Sequence, residues 1–442
     1  MKLGLLIFLL AFIIRFVNLL FLDLDVDTYL IEDQKFYWEW SLKGAYLPWS
    51  QLSSMLLSER MPGSFWFFEF LQWLTNKNLF STLTFQSLID AFTCVVIFNC
   101  AGMINKKYQL FTGLFAACSP LMIVVSSQIL SDTIFIFIFS CCLYFLLKFI
   151  YLKNSNYALF YSGLFLGISA FIRAATFPLL FIGLPIIYLA IRSHNYSNKK
   201  AITSLFIFFI ISISPVSYRL FNNIYQHDTY TLTTQSGSHA SYWMVPGVLS
   251  VSKGLDREAS IDFVNKEIAK YGGLTGDNYK DSKHMLKVSK DIIYKESVFD
   301  VSYSWLRSSF LNIIISPILI DNRVRNMQHP SFANNGNIIK WVTSLFEDKK
   351  TFLYTTILFL SLLLSLFTGI SLLVGFYIFA NTHMYLSIIS FLIIGYFCFI
   401  TGPTISPKYC LPYVPILFYI QAISLDKLLS FIKKREHTNN HK

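Results

Sequence analysis

The stretch LGLLIFLLAFIIRFVNLLFL, residues 3–22, decides the fold, because a predominantly apolar run of about 20 residues crosses a bilayer as a helix. The acidic and aromatic stretch IEDQKFYWEW, residues 31–40, follows where the chain leaves the membrane. The first run has no small-residue cleavage site, so we expect a retained helix rather than a signal peptide.

The composition also indicates a membrane protein. Of the 442 residues, 54% are hydrophobic and only 14% are charged, and a soluble chain of this length has no means to bury so much apolar surface. The net charge of +11 arises from Lys and Arg in short clusters between apolar runs. That pattern is typical of cytoplasmic loops of a polytopic membrane protein, and we favour it over a nucleic-acid-binding surface.

Ten apolar runs are long enough to be predicted as spans. They are residues 3–22, 84–104, 108–127, 130–150, 157–174, 177–192, 200–216, 352–379, 383–400 and 409–426. A shorter apolar patch, residues 62–73, carries Glu69 and several Phe and Trp residues, which favours an interfacial helix.

The basic clusters set the predicted orientation. With a cytoplasmic N-terminus and ten spans, all of these clusters are cytoplasmic: 106–107, 148 with 153, 192 with 199–200, and 433–435. The sequence therefore predicts an all-α polytopic protein of the plasma membrane, with about ten transmembrane helices and both termini in the cytoplasm.

This topology divides the chain into three regions. The first is a transmembrane module, residues 1–216, whose first outer loop is residues 23–83. A large outer loop, residues 217–351, follows and contains a solvated helical subdomain. Residues 352–442 form the last transmembrane helices and a basic cytoplasmic tail. Segment 303–320 is either an eleventh span or, as its Arg and Pro residues favour, an interfacial or re-entrant helix.

Asp33 is the first candidate catalytic residue. On a helix it shares one face with Tyr37 and Ser41, at the outer surface of the membrane. Glu32 by itself is more typical of a solvated loop charge, but with Tyr37 it is a candidate for contact with a sugar or acceptor. The alternative for the whole stretch is a charged surface helix with aromatic anchors.

Asp132 is the second candidate catalytic residue. A carboxylate so near the bilayer needs a cation, a metal ion or a hydroxyl-bearing ligand as its partner, although an N-cap of the following span is the alternative. If Asp33 and Asp132 are neighbours, their charges repel, so either a shared divalent metal or a basic residue is expected between them. We expect no other cofactor.

Basic residues predicted at the outer face are candidates for binding a phosphate group. Arg60, Arg219 and Lys408 provide bidentate or point-charge contacts, although each alone is also typical of a membrane-interface anchor. Arg173 ends a predicted span, where it either binds phosphate or extends its charge to the interface.

Several stretches in order resemble one family. They are Asp33, Tyr37, Ser41 and Gly44 at fixed spacing; Arg60-Met61-Pro62 followed by Trp66; Ser119-Pro120 followed by Asp132-Thr133; Gly163, Gly167 and Arg173; Arg219 and Asn222 followed by Thr233 to Gly237; and Lys408-Tyr409 followed by Pro412 and Pro415. The chain resembles the GT-C superfamily of integral-membrane glycosyltransferases, and most closely the branch related to protein O-mannosyltransferases and the aminoarabinose transferase of lipid A.

The resemblance implies a polyprenyl-phosphate-linked sugar donor and inverting transfer on the outer face of the membrane. Asp33 would then deprotonate an acceptor hydroxyl on a lipid, glycan or protein, and the basic residues would hold the departing lipid phosphate. The resemblance does not specify the sugar.

Two other functions agree with the general layout. A polysaccharide polymerase or ligase would form its cavity from the large outer loop alone. A flippase or transporter of lipid-linked sugars would carry charged residues near the middle of the bilayer, where Asp90 is the clearest candidate.

Overall fold

A computed structural model describes residues 2–42, 58–152, 156–192, 197–330 and 338–439. Seven helices in these ranges are long and apolar enough to cross a membrane, or up to nine spans if each of two bent pairs is one. The seven are Lys2–Leu20, Leu79–Ile104, Asp132–Tyr151, Asn198–His227, Lys349–Thr382, Met384–Thr401 and Pro407–Lys433. The bent pairs are Lys106–Ala117 with Pro120–Ser126, and Ala174–Ile182 with Leu184–Arg192.

Each of the ten predicted spans coincides with an apolar helix or a bent pair. The fifth, residues 157–174, is the 17-residue helix Asn156–Ile172, which falls just short of spanning length. Between Leu79–Ile104 and Asp132–Tyr151, the chain bends by 45° at Ser119-Pro120, because Pro120 opens a new helix that the Ser119 side chain caps. The chain is therefore an integral membrane protein with an all-α fold in its described residues.

Shorter helices build the outer segments. They are Val26–Tyr29, Asp33–Leu42, Pro62–Leu74, Gln235–His239, Val245–Ser252, Arg257–Lys270, Asn278–Tyr294, Val298–Ile314, Asn322–Arg325 and Ile338–Glu347. Single turns of 3₁₀ helix cover Ala174–Thr176, Pro317–Ile320 and Lys349–Thr351, a longer 3₁₀ segment covers Pro407–Tyr413, and a π-helical turn covers Ala240–Met244.

Small residues let the helices approach closely. A Cβ atom added at Gly167 would lie 2.2 Å from the Ser212 carbonyl oxygen, and one at Gly163 would lie 3.1 Å from the Phe208 carbonyl oxygen. These glycines therefore pack Asn156–Ile172 against Asn198–His227 at backbone distance, as small residues do between membrane helices. The Gly163 and Gly167 spacing seen in the sequence has a packing role.

The Pro62–Leu74 helix buries one face and exposes aromatic rings on the other, as expected for an interfacial position. Phe65 and Phe68 are buried, whereas Trp66, Phe70 and Trp73 are exposed. Pro62 occupies the first turn, where its missing N–H costs nothing. The helix begins just after Glu59 and Arg60, so its position fixes where these two residues lie.

The large outer loop contains a packed helical unit. Val245–Ser252, Arg257–Lys270 and Asn278–Tyr294 share a small apolar core that includes Val264, Met285 and Val288. The preceding spanning helix ends at His227 rather than at the predicted residue 216, because buried Asn223 bonds the Thr231 and Leu232 carbonyl oxygens and holds the chain reversal after the helix. Segment 303–320 is the end of Val298–Ile314 followed by a 3₁₀ turn.

Candidate active site

Asp33 opens the helix Asp33–Leu42, directly after Glu32, whose backbone is left-handed (φ 49°). Such a φ is uncommon outside glycine and is found most often at turns and functional sites. The Asp33 side chain is 58% exposed. Glu32 is exposed as well, and its side chain has no hydrogen bond or ion pair to any described residue. Gly44, from the same sequence pattern, lies outside the described residues.

Tyr37 anchors this helix one turn further on. Its ring is buried and packs against Phe65 and Phe68 of the Pro62–Leu74 helix. Gln72 adds a hydrogen bond to the Trp38 carbonyl oxygen at 3.1 Å. The two short helices therefore form one aromatic unit, which fixes Asp33 relative to the residues preceding Pro62.

Arg60 is the direct partner of Asp33. Its Nη2 donates to Oδ1 of Asp33 at 2.9 Å, and its Nη1 lies 3.6 Å from Oε2 of Glu59. Oδ2 of Asp33 has no hydrogen-bond donor among the described residues. Glu59 is buried, which raises the pKa of its carboxyl, although a hydrogen bond with Ser238 and the charge of Arg60 oppose that rise.

Asp132 is the first residue of the helix Asp132–Tyr151 and not its N-cap, which is Ser131. Its buried carboxylate forms an ion pair with Arg173, whose guanidinium also lies 5.4 Å from the centre of the Phe135 ring. Arg173 directly follows the helix Asn156–Ile172, so its guanidinium pairs with the carboxylate at the start of another helix.

The two ion pairs lie in one neighbourhood. Tyr37 interacts electrostatically with both Arg60 and Arg173. Tyr409, in the 3₁₀ segment before the last helix, interacts with Arg173, Asp132 and Asp33. Five predicted site residues, from four separate parts of the sequence, are therefore grouped together: Asp33, Tyr37, Arg60, Asp132 and Arg173.

The two helix ends beside Arg60 and Arg173 are in direct contact. A Cβ atom added at Gly63 would lie 2.7 Å from the Phe171 carbonyl oxygen, and the Ser64 hydroxyl donates to the Ile172 carbonyl oxygen at 3.1 Å. The start of the Pro62–Leu74 helix is thus pressed against the end of Asn156–Ile172. Arg60 and Arg173 flank this junction.

Two buried side-chain amides, whose role was not predicted from the sequence, fix the segment before Asp132. Gln34 Oε1 accepts from the Ile129 backbone N–H at 3.2 Å. Gln86 Nε2 donates to the Ser126 and Gln128 carbonyl oxygens at 2.8 and 2.7 Å. Because Gln34 adjoins Asp33, these bonds tie the segment before Asp132 to the helix that carries Asp33. Neither amide belongs to a pattern that would have indicated this role.

Lys408 and Arg219 have contrasting settings. Lys408 is half-buried, and its side chain makes no hydrogen bond or ion pair to a described residue. Arg219 is 2% exposed, and it donates to the carbonyl oxygens of Leu232 at 3.0 Å and Ser58 at 3.4 Å. Arg219, predicted as a phosphate-binding cation, donates to backbone carbonyls here, and it joins the large outer loop to the residue just before Glu59.

Arg219 also borders an apolar groove beside the site. The groove has a volume of about 500 Å³ and is lined by Trp66, Ile168, Phe171, Pro215, Tyr218 and Arg219. Trp66 is 44% and Tyr218 62% exposed, so the groove is open at the protein surface. Its walls suit an apolar chain.

The donor set fits a metal ion poorly. The described ranges contain no group of three or more His, Cys, Asp or Glu side chains that could hold one. Asp33 and Asp132, the residues expected to share a metal, are each paired with an arginine. The positive charge that two neighbouring carboxylates require is therefore supplied by Arg60 and Arg173.

The charged residue predicted near mid-membrane, Asp90, is also paired. Its Oδ2 accepts from Nε of Arg15 at 2.5 Å, and both side chains are buried. Arg15 also donates to the Ala116 and Ala117 carbonyl oxygens at the bend between the helices Lys106–Ala117 and Pro120–Ser126. This cluster lies within the helix bundle and holds the bend.

Comparison with known proteins supports the same family. The sequence profile described as dolichyl-phosphate-mannose-protein mannosyltransferase matches residues 59–218, about a third of the chain. A search of curated proteins finds no match to this sequence. The matched stretch contains Arg60, Asp132 and Arg173.

Among solved structures, the archaeal oligosaccharyltransferase AglB of Archaeoglobus fulgidus, in complex with an inhibitory peptide and a dolichol-phosphate, has a TM-score of 0.53 and 12% identity. That similarity covers 99% of this chain and 52% of AglB, so the chain spans about half the length of that protein. ArnT of Cupriavidus metallidurans gives TM-scores of 0.39 in the apo state and 0.38 bound to undecaprenyl phosphate. Both ArnT comparisons have 13% identity and cover 95% of this chain and 76% of ArnT. The resemblance to GT-C membrane glycosyltransferases inferred from the sequence is confirmed.

Proposed function

We propose that this chain, which has the fold of GT-C membrane glycosyltransferases, transfers a sugar from a polyprenyl-phosphate donor to an acceptor hydroxyl at the outer face of the membrane. The proposal depends on one observation. Asp33, whose Oδ2 has no donor among the described residues, is grouped with the Asp132–Arg173 pair beside an apolar groove. This reaction needs a carboxylate that accepts a proton, cations near the leaving phosphate, and a wall that a lipid chain can reach.

In the proposed reaction, the acceptor hydroxyl approaches Oδ2 of Asp33 while Arg60 holds Oδ1 in place. The acceptor oxygen forms a bond to the anomeric carbon as the bond from that carbon to the phosphate oxygen breaks. The hydroxyl proton passes to Asp33, and the electron pair leaves with the lipid phosphate. Attack opposite the leaving group inverts the anomeric centre.

Lys408 is the residue that we assign to the departing phosphate. It is half-buried and has no partner among the described residues, so its charge is available to a ligand. Arg219 is assigned a positioning role, because its bonds to the carbonyl oxygens of Leu232 and Ser58 hold the segment that carries Arg60. Asp132 and Arg173 orient the acceptor around Tyr37. The mechanism has no metal-dependent step.

The contacts favour this function over the two alternatives. The site draws on the first outer loop and on residues 132, 173 and 409, whereas a polymerase or ligase was expected to use the large outer loop alone. Asp90, the candidate for a transport pathway, forms a buried ion pair with Arg15. We propose an outer-facing active site and cytoplasmic termini, in line with the predicted orientation.

The test is sugar transfer by the full-length protein in vesicles. Polyprenyl-phosphate donor labelled in its sugar is supplied together with membrane extract as the source of acceptors. The proposal predicts that the label becomes covalently attached to a new acceptor in a protein-dependent way. Label that only changes leaflet, and stays on the polyprenyl phosphate, would favour a flippase and contradict the proposal.

A further inference from the structure

A fixed cation on the large outer loop faces the candidate active site. Arg257 opens the helix Arg257–Lys270, and its guanidinium carbon lies 3.8 Å from the centre of the Trp243 ring. Stacking of this kind holds the planar guanidinium while leaving its N–H groups free to bind in the plane. Both side chains are exposed, so a ligand in solution can reach them.

Arg257 lacks an acidic partner among the described residues. Asp256 beside it caps the Ala259 N–H at 2.8 Å, and Glu258 is the next residue of the helix. The sequence outside the described ranges contains no Asp or Glu, so the remainder of the first outer loop supplies no carboxylate. A cation in the first turn of a helix is also opposed by the helix dipole. Apart from the contact with the Trp243 ring, no interaction among the described residues accounts for a positive charge at this position.

Its location connects Arg257 to the reaction. Tyr409 interacts electrostatically with Arg173, Asp132, Asp33 and Arg257, so Arg257 belongs to the same neighbourhood as both carboxylates. Arg60 and Arg173 are already neutralised by these carboxylates. Lys408 and Arg257 are the two cations of this neighbourhood that no described carboxylate pairs with. A donor with a single phosphate needs only one of them.

We propose that Arg257, held on Trp243, binds an acidic group, a phosphate or a carboxylate, carried by the acceptor. The inference rests on the proposed function and narrows its acceptor class to anionic molecules. Lys408 is assigned to the donor phosphate, whereas Arg257 is exposed and belongs to the solvated outer subdomain. The acceptor therefore enters from the aqueous side, with its acidic group on Arg257 and its hydroxyl toward Asp33.

The experiment uses full-length protein in vesicles and a labelled polyprenyl-phosphate sugar. Membrane extract of the source organism is separated by anion exchange into a neutral and an acidic fraction, and each serves as the acceptor probe. The wild type is expected to label the acidic fraction. Arg257→Gln should raise the amount of acidic fraction needed for half-maximal rate by about ten- to hundredfold, the range for a lost charge-assisted hydrogen bond. The donor KM should stay unchanged.

Two matched variants sharpen the result. Arg257→Lys keeps the charge and should recover part of the acceptor affinity, whereas Lys266→Gln, an exposed lysine of the same helix, should behave as the wild type. Both substitutions are at exposed positions, so melting temperatures should not change.

Different failures have different meanings. Labelling of the neutral fraction, or an unchanged acceptor requirement in Arg257→Gln, would overturn this inference alone. A raised donor KM in Arg257→Gln would assign Arg257 to the donor phosphate and overturn it as well. If the wild type labels neither fraction, the proposed function fails and the inference with it.

Discussion

Two arginine–aspartate pairs in this molecule differ in what surrounds them. Arg15 and Asp90 lie among the spanning helices, with side chains at most 3% exposed, and Arg15 also donates to three backbone carbonyls. Arg60 and Asp33 lie in the first outer loop, where the Asp33 side chain is 58% exposed and its Oδ2 has no described donor.

The difference separates a structural pair from a chemical one. A pair that is buried among helices, out of reach of any ligand, holds those helices together. A pair with an open carboxylate oxygen has a fixed position and a vacant acceptor site. Both pairs combine the same residue types, so their surroundings rather than their composition decide what each can do.

The largest expected effect is on the buried pair. Asp90→Asn leaves the charge of Arg15 without its counter-ion, and breaking a buried pair in this way costs about 3–5 kcal/mol. Thermal unfolding of the purified protein in detergent should show a large fall in melting temperature. The double variant Arg15→Met with Asp90→Leu should fall less, because no buried charge remains. If Asp90→Asn is as stable as the wild type, the pair is not structural.

A smaller effect is expected at Lys408. Lys408→Ala removes the cation assigned to the donor phosphate, and a hydrogen bond to a charged group is worth about 1.5–3 kcal/mol. The donor KM should therefore rise at least about tenfold, as measured by initial rates at varied donor concentration. Lys427→Ala, an exposed lysine of the following helix, is the control. Unchanged donor kinetics would remove Lys408 from the site.

The smallest effect concerns Glu59, beside the open pair. Burial raises its pKa above the ordinary value of 4.5. Its contribution to the free energy of unfolding is therefore largest below about pH 4.5 and is lost as the pH rises through the folded-state pKa. Glu59→Gln cannot ionise. The melting temperature of this variant minus that of the wild type should therefore increase as the pH rises through that range.

Thermal melts of both proteins at a series of pH values measure this difference. Glu39→Gln, on the half-exposed side chain of a neighbouring helix, is the control and should show no such trend. A constant difference between Glu59→Gln and the wild type at all pH values would mean that Glu59 is not held in the low-polarity setting described.

The spanning helices could be predicted from sequence because lipid requires long apolar runs with internally bonded backbones. Asp33, Asp132, Arg60 and Arg173 could be selected as well, because charges near a bilayer are costly without a purpose. Their pairing was not predictable: it depends on the Gly63 contact with Phe171 and on the amides of Gln34 and Gln86, which are long-range contacts.

Arg219 illustrates the opposite difficulty. Its position after a span, at the outer face, suggested a ligand-binding cation. In the structure, Arg219 donates to the Leu232 and Ser58 carbonyl oxygens, contacts that the sequence did not predict. A sequence records that a charge is present at the interface, but which groups satisfy that charge depends on how separate loops fold together.

The most direct test of Asp33 as the catalytic base is a single comparison of Asp33→Asn with the wild type for both sugar-transfer rate and melting temperature. The exposed pair contributes little to stability, so the melting temperature should be unchanged, while the rate should fall at least about hundredfold. Transfer at the wild-type rate would contradict the assignment of Asp33. A melting temperature that falls together with the rate would place this pair with Arg15–Asp90, as structure rather than chemistry.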